Sequence, residues 1–284
     1  MFFNSFFKPI YRLSFLFLAY IQSAVAADCD IAQHSESSSL TSKSVPLHIT
    51  GFRSIDQHIF KLAQSRGYKL QTRWSNNRSL TAGHYVHRCV SEDLQELLKS
   101  AREQGYPLQV LSGFRSIERQ REIFLTKLFN RGVSLASIPN GSQDKILNSI
   151  LNFSAAPGYS RHHSGFAVDL YETGRTLALF RSSEVFKWLS ANNYSVARSF
   201  GFIPSYPEGL QNQGPLPESW EFLWVGRTSL NYGEKSFAAL NASLGTTLAN
   251  DARTIIEHLQ KQPFFGTDSG FSDLPVTKDQ FPGG

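Results

Sequence analysis

The chain has 284 residues, of which 41% are hydrophobic and 18% are charged. This balance is typical of a folded protein with a sizeable core and excludes extended disorder. The net charge is +5, but the first 26 residues carry Lys8 and Arg12 and no acidic residue, so the remainder carries only +3. A charge this small and dispersed does not indicate a protein that binds nucleic acid.

Residues 1–26 have the pattern of a secretory signal peptide. Lys8 and Arg12 precede a nine-residue apolar run at 13–21, and small residues follow as far as Ala26. A helix of nine residues rises about 14 Å, roughly half the thickness of a hydrocarbon core, which argues against a membrane anchor. We therefore expect cleavage near Ala26 and an exported protein, periplasmic or extracellular, with no stable membrane anchor.

The chain has two cysteines, Cys29 and Cys89. Two are too few for a disulfide scaffold or for an all-cysteine zinc site. In an oxidising compartment such a pair is more often bridged than free, so we expect a Cys29–Cys89 disulfide that ties the mature N-terminus to the domain. Two free thiols are the alternative.

The hydrophobic pattern predicts helices and strands in mixed order. A serine-rich tail at 27–50 precedes a single domain at 51–262, and the tail at 263–284 is expected to be mobile. Helices are predicted at 55–66, 93–104, 117–130, 183–192 and 246–261, and strands at 109–111, 165–171 and 220–225. Regular alternation of strands and helices is absent from this order. The predicted fold is therefore α+β, with a mostly antiparallel sheet flanked by helices.

The first of three unusual segments, 112–116, has the sequence Ser-Gly-Phe-Arg-Ser. A predicted strand enters a glycine-containing turn here and continues into a helix. This turn would place Arg115 at the mouth of a site, where its guanidinium could hold a carboxylate or an oxyanion. Taken alone, the segment is more typical of a surface arginine beside a helix.

The second segment, 158–169, contains His162 and Asp169, seven residues apart. In one continuous strand this spacing puts them on opposite faces, so they converge only if the chain bends between them. The Ser164–Gly165 pair supplies such a bend. An imidazole nitrogen and a carboxylate oxygen are ligands of the kind that zinc binds. A histidine hydrogen-bonded to an ordinary aspartate is the alternative.

The third segment, 217–222, places Glu218 and Glu221 on either side of Trp220. A desolvated carboxyl group beside an apolar ring has a raised pKa, which suits a general base that takes a proton from water. Two solvated acids at the start of a strand are the alternative.

Taken together, the segments resemble the zinc-dependent D-alanyl-D-alanine carboxypeptidases of the VanY kind, in the wider group that includes lysostaphin-type peptidases and the hedgehog signalling domain. That family has Ser-Gly-Tyr-Arg-Ser, Ser-x-His-x-x-Gly-x-Ala-x-Asp and Glu-Pro-Trp-His in this order. Here the counterparts lie at 112–116, 160–169 and 218–221, with a Trp-Leu pair at 188–189 and a Gly-Phe…Tyr-Pro stretch at 201–207. The resemblance covers 94–226.

The resemblance implies one divalent ion, zinc, held by His162, Asp169 and the residue at position 221. That residue is a histidine in the family and Glu221 in this chain. With two carboxylates among its three ligands the zinc centre is neutral, which weakens the metal as a Lewis acid and also admits Mn²⁺. His163 is expected to point away from the metal, and the sequence does not place His84 or His87.

The resemblance also implies roles for further residues. Glu218 would be the general base and Arg115 would steady the oxyanion or the substrate. Gln120, Ser160 and Tyr206 would line the pocket that binds the substrate. Ser205 stands where the family commonly has arginine, immediately before Tyr206.

The expected function is that of an exported metal-dependent carboxypeptidase that cuts the D-alanyl end of peptidoglycan stem peptides. The first alternative is a cell-wall-binding relative that lost catalysis through Glu221. The second is a hydrolase of another peptide linkage, since cleft residues rather than fold decide the substrate.

Overall fold

The computed structural model describes residues 48–71, 77–227 and 233–262, and in the last range it describes side chains at 244 and from 246 onward. The predicted signal peptide, the serine-rich tail as far as residue 47, Cys29 and the tail at 263–284 lie outside these residues. The disulfide and the cleavage site therefore stay predictions. None of the described helices combines the length and the apolar character that crossing a membrane requires.

Helices and strands follow one another in mixed order. The helices are α1 (Arg53–Ser65), α2 (Arg88–Glu103), α3 (Ile117–Asn130), α4 (Asp144–Leu151), α5 (Leu177–Phe180), α6 (Glu184–Ser199) and α7 (Gly233–Lys261). The strands are β1 (Arg78–Thr81), β2 (His84–His87), β3 (Leu108–Ser112), β4 (Ala167–Glu172), β5 (Phe202–Tyr206) and β6 (Glu218–Trp224). Short 3-10 helices lie at Leu135–Ser137 and Arg161–Ser164.

The central sheet has four strands in the order β3-β4-β6-β5, and every neighbouring pair is antiparallel. This arrangement confirms the predicted α+β class. β1 and β2 form a separate two-stranded hairpin that the sequence did not predict. In the central sheet, Asp169 of β4 lies opposite Ser112 of β3 on one side and opposite Glu221 of β6 on the other. The register therefore brings two residues of the predicted site to adjacent positions.

Apolar periodicity and capping explain the two best-predicted helices. In α2, Leu94, Leu97, Leu98 and Ala101 are buried at a spacing of three and four residues, which is one face of a helix. The helix ends before Gly105, whose φ of +80° suits a glycine after a helix C-terminus. α3 begins after Ser116, whose hydroxyl accepts a hydrogen bond from the backbone N–H of Arg119.

Two apolar clusters build the core. One joins the central sheet to α2, α6 and α7, and the other joins α1, α3 and α4. The segment that carries His162 passes from one cluster to the other, since Tyr159 belongs to the second and Phe166 to the first. The candidate site therefore lies where the two halves of the core meet.

Several element boundaries differ from those predicted. Ile49 is fully buried, and the Asp56 carboxylate accepts hydrogen bonds from the backbone N–H groups of Ile49, Thr50 and Gly51. The packed chain thus includes residues just before 51. α7 starts at Gly233 rather than 246, while α6 has a non-helical break at 191–194 that matches the predicted end at 192. The sequence did not predict α4 or β5.

Burial predicts a large stability difference between two leucines. Leu94 in α2 is fully buried, whereas Leu80 in β1 is 64% exposed. We expect Leu94→Ala to lower the free energy of unfolding by about 2 to 5 kcal/mol, because it removes buried methyl groups and leaves a cavity. Leu80→Ala is the matched control and should change it by less than about 0.5 kcal/mol. Urea unfolding measures both, and equal losses would contradict the placement of Leu94 in the core.

Candidate metal centre

Three buried side chains from three elements meet beside the central sheet. His162 comes from the 3-10 helix before β4, Asp169 from β4 and Glu221 from β6. One possible ligand atom of each lies within 4.8 Å of the others. His162 Nε2 is 3.3 Å from Asp169 Oδ1 and 3.3 Å from Glu221 Oε2. The structure thus brings together the three residues predicted as metal ligands.

Local backbone geometry explains how His162 reaches this position. Gly165 adopts a φ of +75°, which turns the chain between His162 and β4 at the place where the sequence predicted a bend. His162 Nδ1 lies 2.6 Å from the Gly113 carbonyl oxygen. Because a carbonyl oxygen can only accept, Nδ1 carries the hydrogen and Nε2 is the atom left to bind a metal.

The Asp169 carboxylate supplies a test of whether the site fits a metal. Its Oδ2 accepts a hydrogen bond from Arg115 Nη2 at 3.4 Å. Its Oδ1 is buried and has no hydrogen-bond partner among the described residues, although it faces His162 Nε2. A buried carboxylate oxygen without a hydrogen bond is costly unless a positive charge neutralises it, and either a proton on His162 Nε2 or a divalent ion at this position would supply that charge. One imidazole nitrogen and two carboxylate oxygens are a donor set that zinc and manganese accept, so these residues fit a divalent ion.

The charges of the cluster depend on one another. Burial by itself lowers the pKa of His162, but the carboxylates of Asp169 and Glu221 outweigh it and raise that pKa to about 9. Burial raises the pKa of Glu221, and the His162 charge and the Ser205 hydrogen bond reverse this and lower it. Without a metal, the cluster therefore holds a positive charge on His162 between two carboxylates.

Glu218 lies beside the cluster at the start of β6, where it is buried. Burial, followed by the negative charges of Glu221 and Asp169, raises its pKa well above the ordinary range for glutamate. Lys127 of α3 lies close enough for its charge to act against this shift. A carboxyl group with a raised pKa beside the candidate ligands has the character of a general base. Sequence reasoning did not place Lys127 near the site.

The Arg115 side chain contacts residues of three elements, Ser112 of β3, Asp169 of β4 and Gln120 of α3. Nη1 donates to Gln120 Oε1 at 2.9 Å, and Nη2 donates to Ser112 Oγ at 3.1 Å as well as to Asp169. The Arg115 side chain is 20% exposed, so part of it remains accessible. Gln120 is buried, and its amide nitrogen donates to the Ala155 carbonyl. Gln120 thus holds Arg115 in place, and its contact with a substrate stays a prediction.

Ser160 and Tyr206, the other predicted substrate-binding residues, are also buried. The Ser160 carbonyl accepts a hydrogen bond from the His163 backbone N–H, and the Tyr206 ring lies under the Arg161 guanidinium at 4.1 Å. Their contact with a substrate likewise stays a prediction.

Sequence reasoning missed Arg161. Its side chain is buried, donates to Ser205 Oγ at 3.1 Å and pairs with Asp251 Oδ2 at 2.9 Å. Asp251 also pairs with Lys69, at 2.6 Å. Because Asp251 is 90 residues from Arg161 in the chain, no local pattern could have joined them.

The other histidines considered as a third ligand lie outside the cluster. His163 is fully buried, accepts a hydrogen bond from the Gly158 backbone N–H and donates to the Arg115 carbonyl. His84 lies in β2, and His87 stacks on Phe166. Among the described residues, the group of His162, Asp169 and Glu221 is the only one with the spacing of a metal site.

The environment of His163 predicts a pH effect on stability. Burial lowers its pKa to about 4, whereas the unfolded chain titrates near about 6.5. The stability contribution of neutral His163 is therefore complete above the unfolded pKa and declines as the pH falls towards 4. His163→Gln keeps an acceptor for Gly158 but does not titrate, so its free energy of unfolding should fall less between pH 7 and pH 5. Urea unfolding with a chelator present measures this, and parallel pH profiles would contradict it.

Known proteins share the segment that builds the site. A family model described as VanY, D-alanyl-D-alanine carboxypeptidase, matches residues 83–227. A D-alanyl-D-alanine carboxypeptidase of Enterococcus faecalis is 32% identical over 152 residues, which is 52% of this chain and 51% of that protein. The putative carboxypeptidase YodJ of Bacillus subtilis is 27% identical over 147 residues, 50% of this chain and 47% of YodJ. The chain thus spans about half the length of these curated relatives.

Solved structures are similar over a longer part of the chain. VanYB in complex with D-alanine-D-alanine covers 67% of this chain and 91% of its own, with 25% identity and a TM-score of 0.44. The LD-carboxypeptidase LdcB covers 64% of this chain and 79% of its own, with 21% identity and a TM-score of 0.44.

Proposed function

The chain belongs to the VanY family of D-alanyl-D-alanine carboxypeptidases, and from this membership we propose that it is an exported, metal-dependent carboxypeptidase that removes the terminal D-alanine of peptidoglycan stem peptides. The observation that carries the proposal is the convergence of the buried side chains of His162, Asp169 and Glu221. The relative named D-alanyl-D-alanine carboxypeptidase supports the reaction and the substrate class.

We assign the metal position to His162 Nε2, one oxygen of Asp169 and one oxygen of Glu221. When bound, a divalent ion supplies Lewis acidity, which polarises a carbonyl group and lowers the pKa of water. Zinc fits this donor set, and the two carboxylates also admit manganese. The resemblance to the zinc-dependent carboxypeptidases favours zinc of the two.

We assign proton transfer, substrate orientation and ligand orientation to different side chains. Glu218, with its raised pKa, takes the proton from the attacking water and returns it to the leaving amine. Arg115 offers its accessible guanidinium to the oxyanion or to the substrate carboxylate, and Gln120 and Ser112 fix the orientation of that group. His162 keeps its ring orientation through Gly113, so that Nε2 stays directed at the ion.

Glu221 favours a second candidate, the wall-binding relative without catalysis. A glutamate in place of a neutral histidine removes one unit of positive charge from the centre, which makes water harder to deprotonate. The two candidates differ in turnover but share the fold.

Replacement of the general base tests the catalytic proposal. Glu218→Gln removes the proton acceptor but leaves the metal ligands in place, so we expect an unchanged zinc content and a loss of D-alanine release of at least about 100-fold. Mass spectrometry of a stem pentapeptide after incubation measures release, and elemental analysis measures zinc. Glu122→Gln, on the exposed side of α3, is the matched control and should keep full activity.

The other outcomes of this experiment are also informative. Equal release by Glu218→Gln and by the parent would refute Glu218 as the base. A parent that binds no metal and releases no D-alanine would support the wall-binding candidate. Products other than the tetrapeptide and D-alanine would assign the enzyme to another peptide linkage.

Export is tested separately on the full chain. In a bacterial host we expect the mature protein outside the cytoplasm with Ala27 as its first residue, because residues 13–21 provide the apolar core of the signal. Cell fractionation and mass spectrometry of the purified protein measure both properties. Deletion of 13–21 is the control and should retain the chain in the cytoplasm. An uncleaved chain that remains in the cytoplasm would disprove export.

A further inference from the structure

The two oxygens of Glu221 have different partners. Oε2 faces His162 Nε2 at 3.3 Å, on the side of the metal position. Oε1 accepts a hydrogen bond from Ser205 Oγ at 2.6 Å. Ser205 lies in β5, next to the strand that carries Glu221, and is fully buried. One oxygen of the Glu221 carboxylate thus binds Ser205, and the other faces His162 and the candidate metal position.

Arg161 fixes the direction of the serine hydroxyl. Its Nη1 donates to the Ser205 carbonyl and, at 3.1 Å, to Ser205 Oγ. Because a guanidinium can only donate, Ser205 Oγ accepts from Arg161 and its own hydrogen is left for Glu221. A one-way chain of hydrogen bonds therefore runs from Arg161 through Ser205 to Glu221.

The outer end of this chain is anchored outside the segment that the family model matches. Arg161 Nη2 pairs with Asp251 of α7 at 2.9 Å, and Asp251 pairs with Lys69 at 2.6 Å. The Arg161 and Asp251 side chains are both buried, and the Tyr206 ring covers the guanidinium. A buried and paired arginine has little freedom to turn, so the orientation of Ser205 is held firmly.

We propose that Ser205, held by Arg161, is a positioning residue that presents Glu221 to the metal through Oε2 alone. A carboxylate bound through both oxygens would occupy a further coordination position, which a catalytic site keeps open for water or substrate. The serine engages Oε1 and so makes the glutamate a one-oxygen ligand, comparable to a single histidine nitrogen. This inference rests on the proposed function, since it requires a metal at the cluster.

Zinc affinity measured in a double-mutant cycle tests the role of Ser205. We expect Ser205→Ala to weaken zinc binding by about 10- to 100-fold, as is common when the partner of a ligating carboxylate is removed. In a Glu221→His background the hydroxyl has no carboxylate to hold, so the same change should weaken binding less than about 3-fold. Competition with a chromophoric chelator gives the dissociation constants. Ser183→Ala is the control, since Ser183 is also buried and hydrogen-bonded but caps α6.

Infrared spectroscopy provides a second readout that does not depend on the Glu221→His protein. On addition of zinc, the parent should show the wide splitting of carboxylate stretching bands that is typical of one-oxygen binding. Ser205→Ala should shift one carboxylate towards the narrower splitting of two-oxygen binding. The metal-free variants are compared by urea unfolding, so that a loss of fold is recognised.

The outcomes separate this inference from the proposed function. A parent that binds no zinc overturns the proposed function and, with it, the role of Ser205. A parent that binds zinc, together with a Ser205→Ala variant of equal affinity and an unchanged spectrum, overturns the inference alone. Equal losses of affinity in the parent and in the Glu221→His background also overturn it, because they would reveal a purely structural serine.

Discussion

Carboxylates buried close together repel one another, and the arrangement of this molecule follows from that constraint. Asp169 and Glu221 flank the His162 imidazole, and Glu218 is buried close enough for their charges to raise its pKa. The surrounding chain supplies Arg115 and Arg161 as balancing positive charges. The carboxylates of Asp169 and Glu221 favour the protonated form of His162, which raises its pKa although burial acts in the opposite direction. A divalent ion at the same place satisfies the same electrostatic requirement, so the cluster is suited to a cation before any substrate is considered.

The central sheet holds the two carboxylates close together because strand pairing fixes the distance between opposite residues. Asp169 and Glu221 are direct cross-strand partners, and Ser112 lies opposite Asp169 on the other side. Antiparallel pairing places the Cα atoms of such directly opposite residues within about 5.5 Å of each other. His162, in contrast, depends on a single turn at Gly165. Two of the candidate ligands, Asp169 and Glu221, are thus positioned by strand register, and the third, His162, is positioned by Gly165 and the Gly113 carbonyl.

Local patterns in the sequence predicted most of the fold and paired His162 with Asp169, whereas Glu221 was expected in the cluster only from the resemblance to the carboxypeptidases. The spacing of the leucines is sufficient to predict α2. The serine at the N-terminus of α3, together with the apolar face of that helix, is sufficient to predict α3. β5 was missed because Pro204 and Ser205 interrupt the apolar pattern of a strand, although all five of its residues are buried. The hairpin of β1 and β2 lacks a strong apolar alternation. The Arg161–Asp251 pair joins residues 90 positions apart, and only the folded chain brings them together.

Two of the departures from the family pattern are connected in the structure. As sequence, Glu221 in place of histidine and Ser205 in place of arginine look like independent losses. In the fold they contact each other, since Ser205 Oγ donates to Glu221 Oε1. A short side chain at 205 leaves room for the Arg161 guanidinium, which reaches the same hydroxyl from the other side. The positive charge beside Ser205 therefore comes from Arg161, in a chain that lacks the arginine expected at position 205. Each oxygen of Glu221 has a defined neighbour, His162 Nε2 for Oε2 and Ser205 Oγ for Oε1. The two positions therefore form one hydrogen-bonded unit, so a substitution at either of them acts on the same carboxylate.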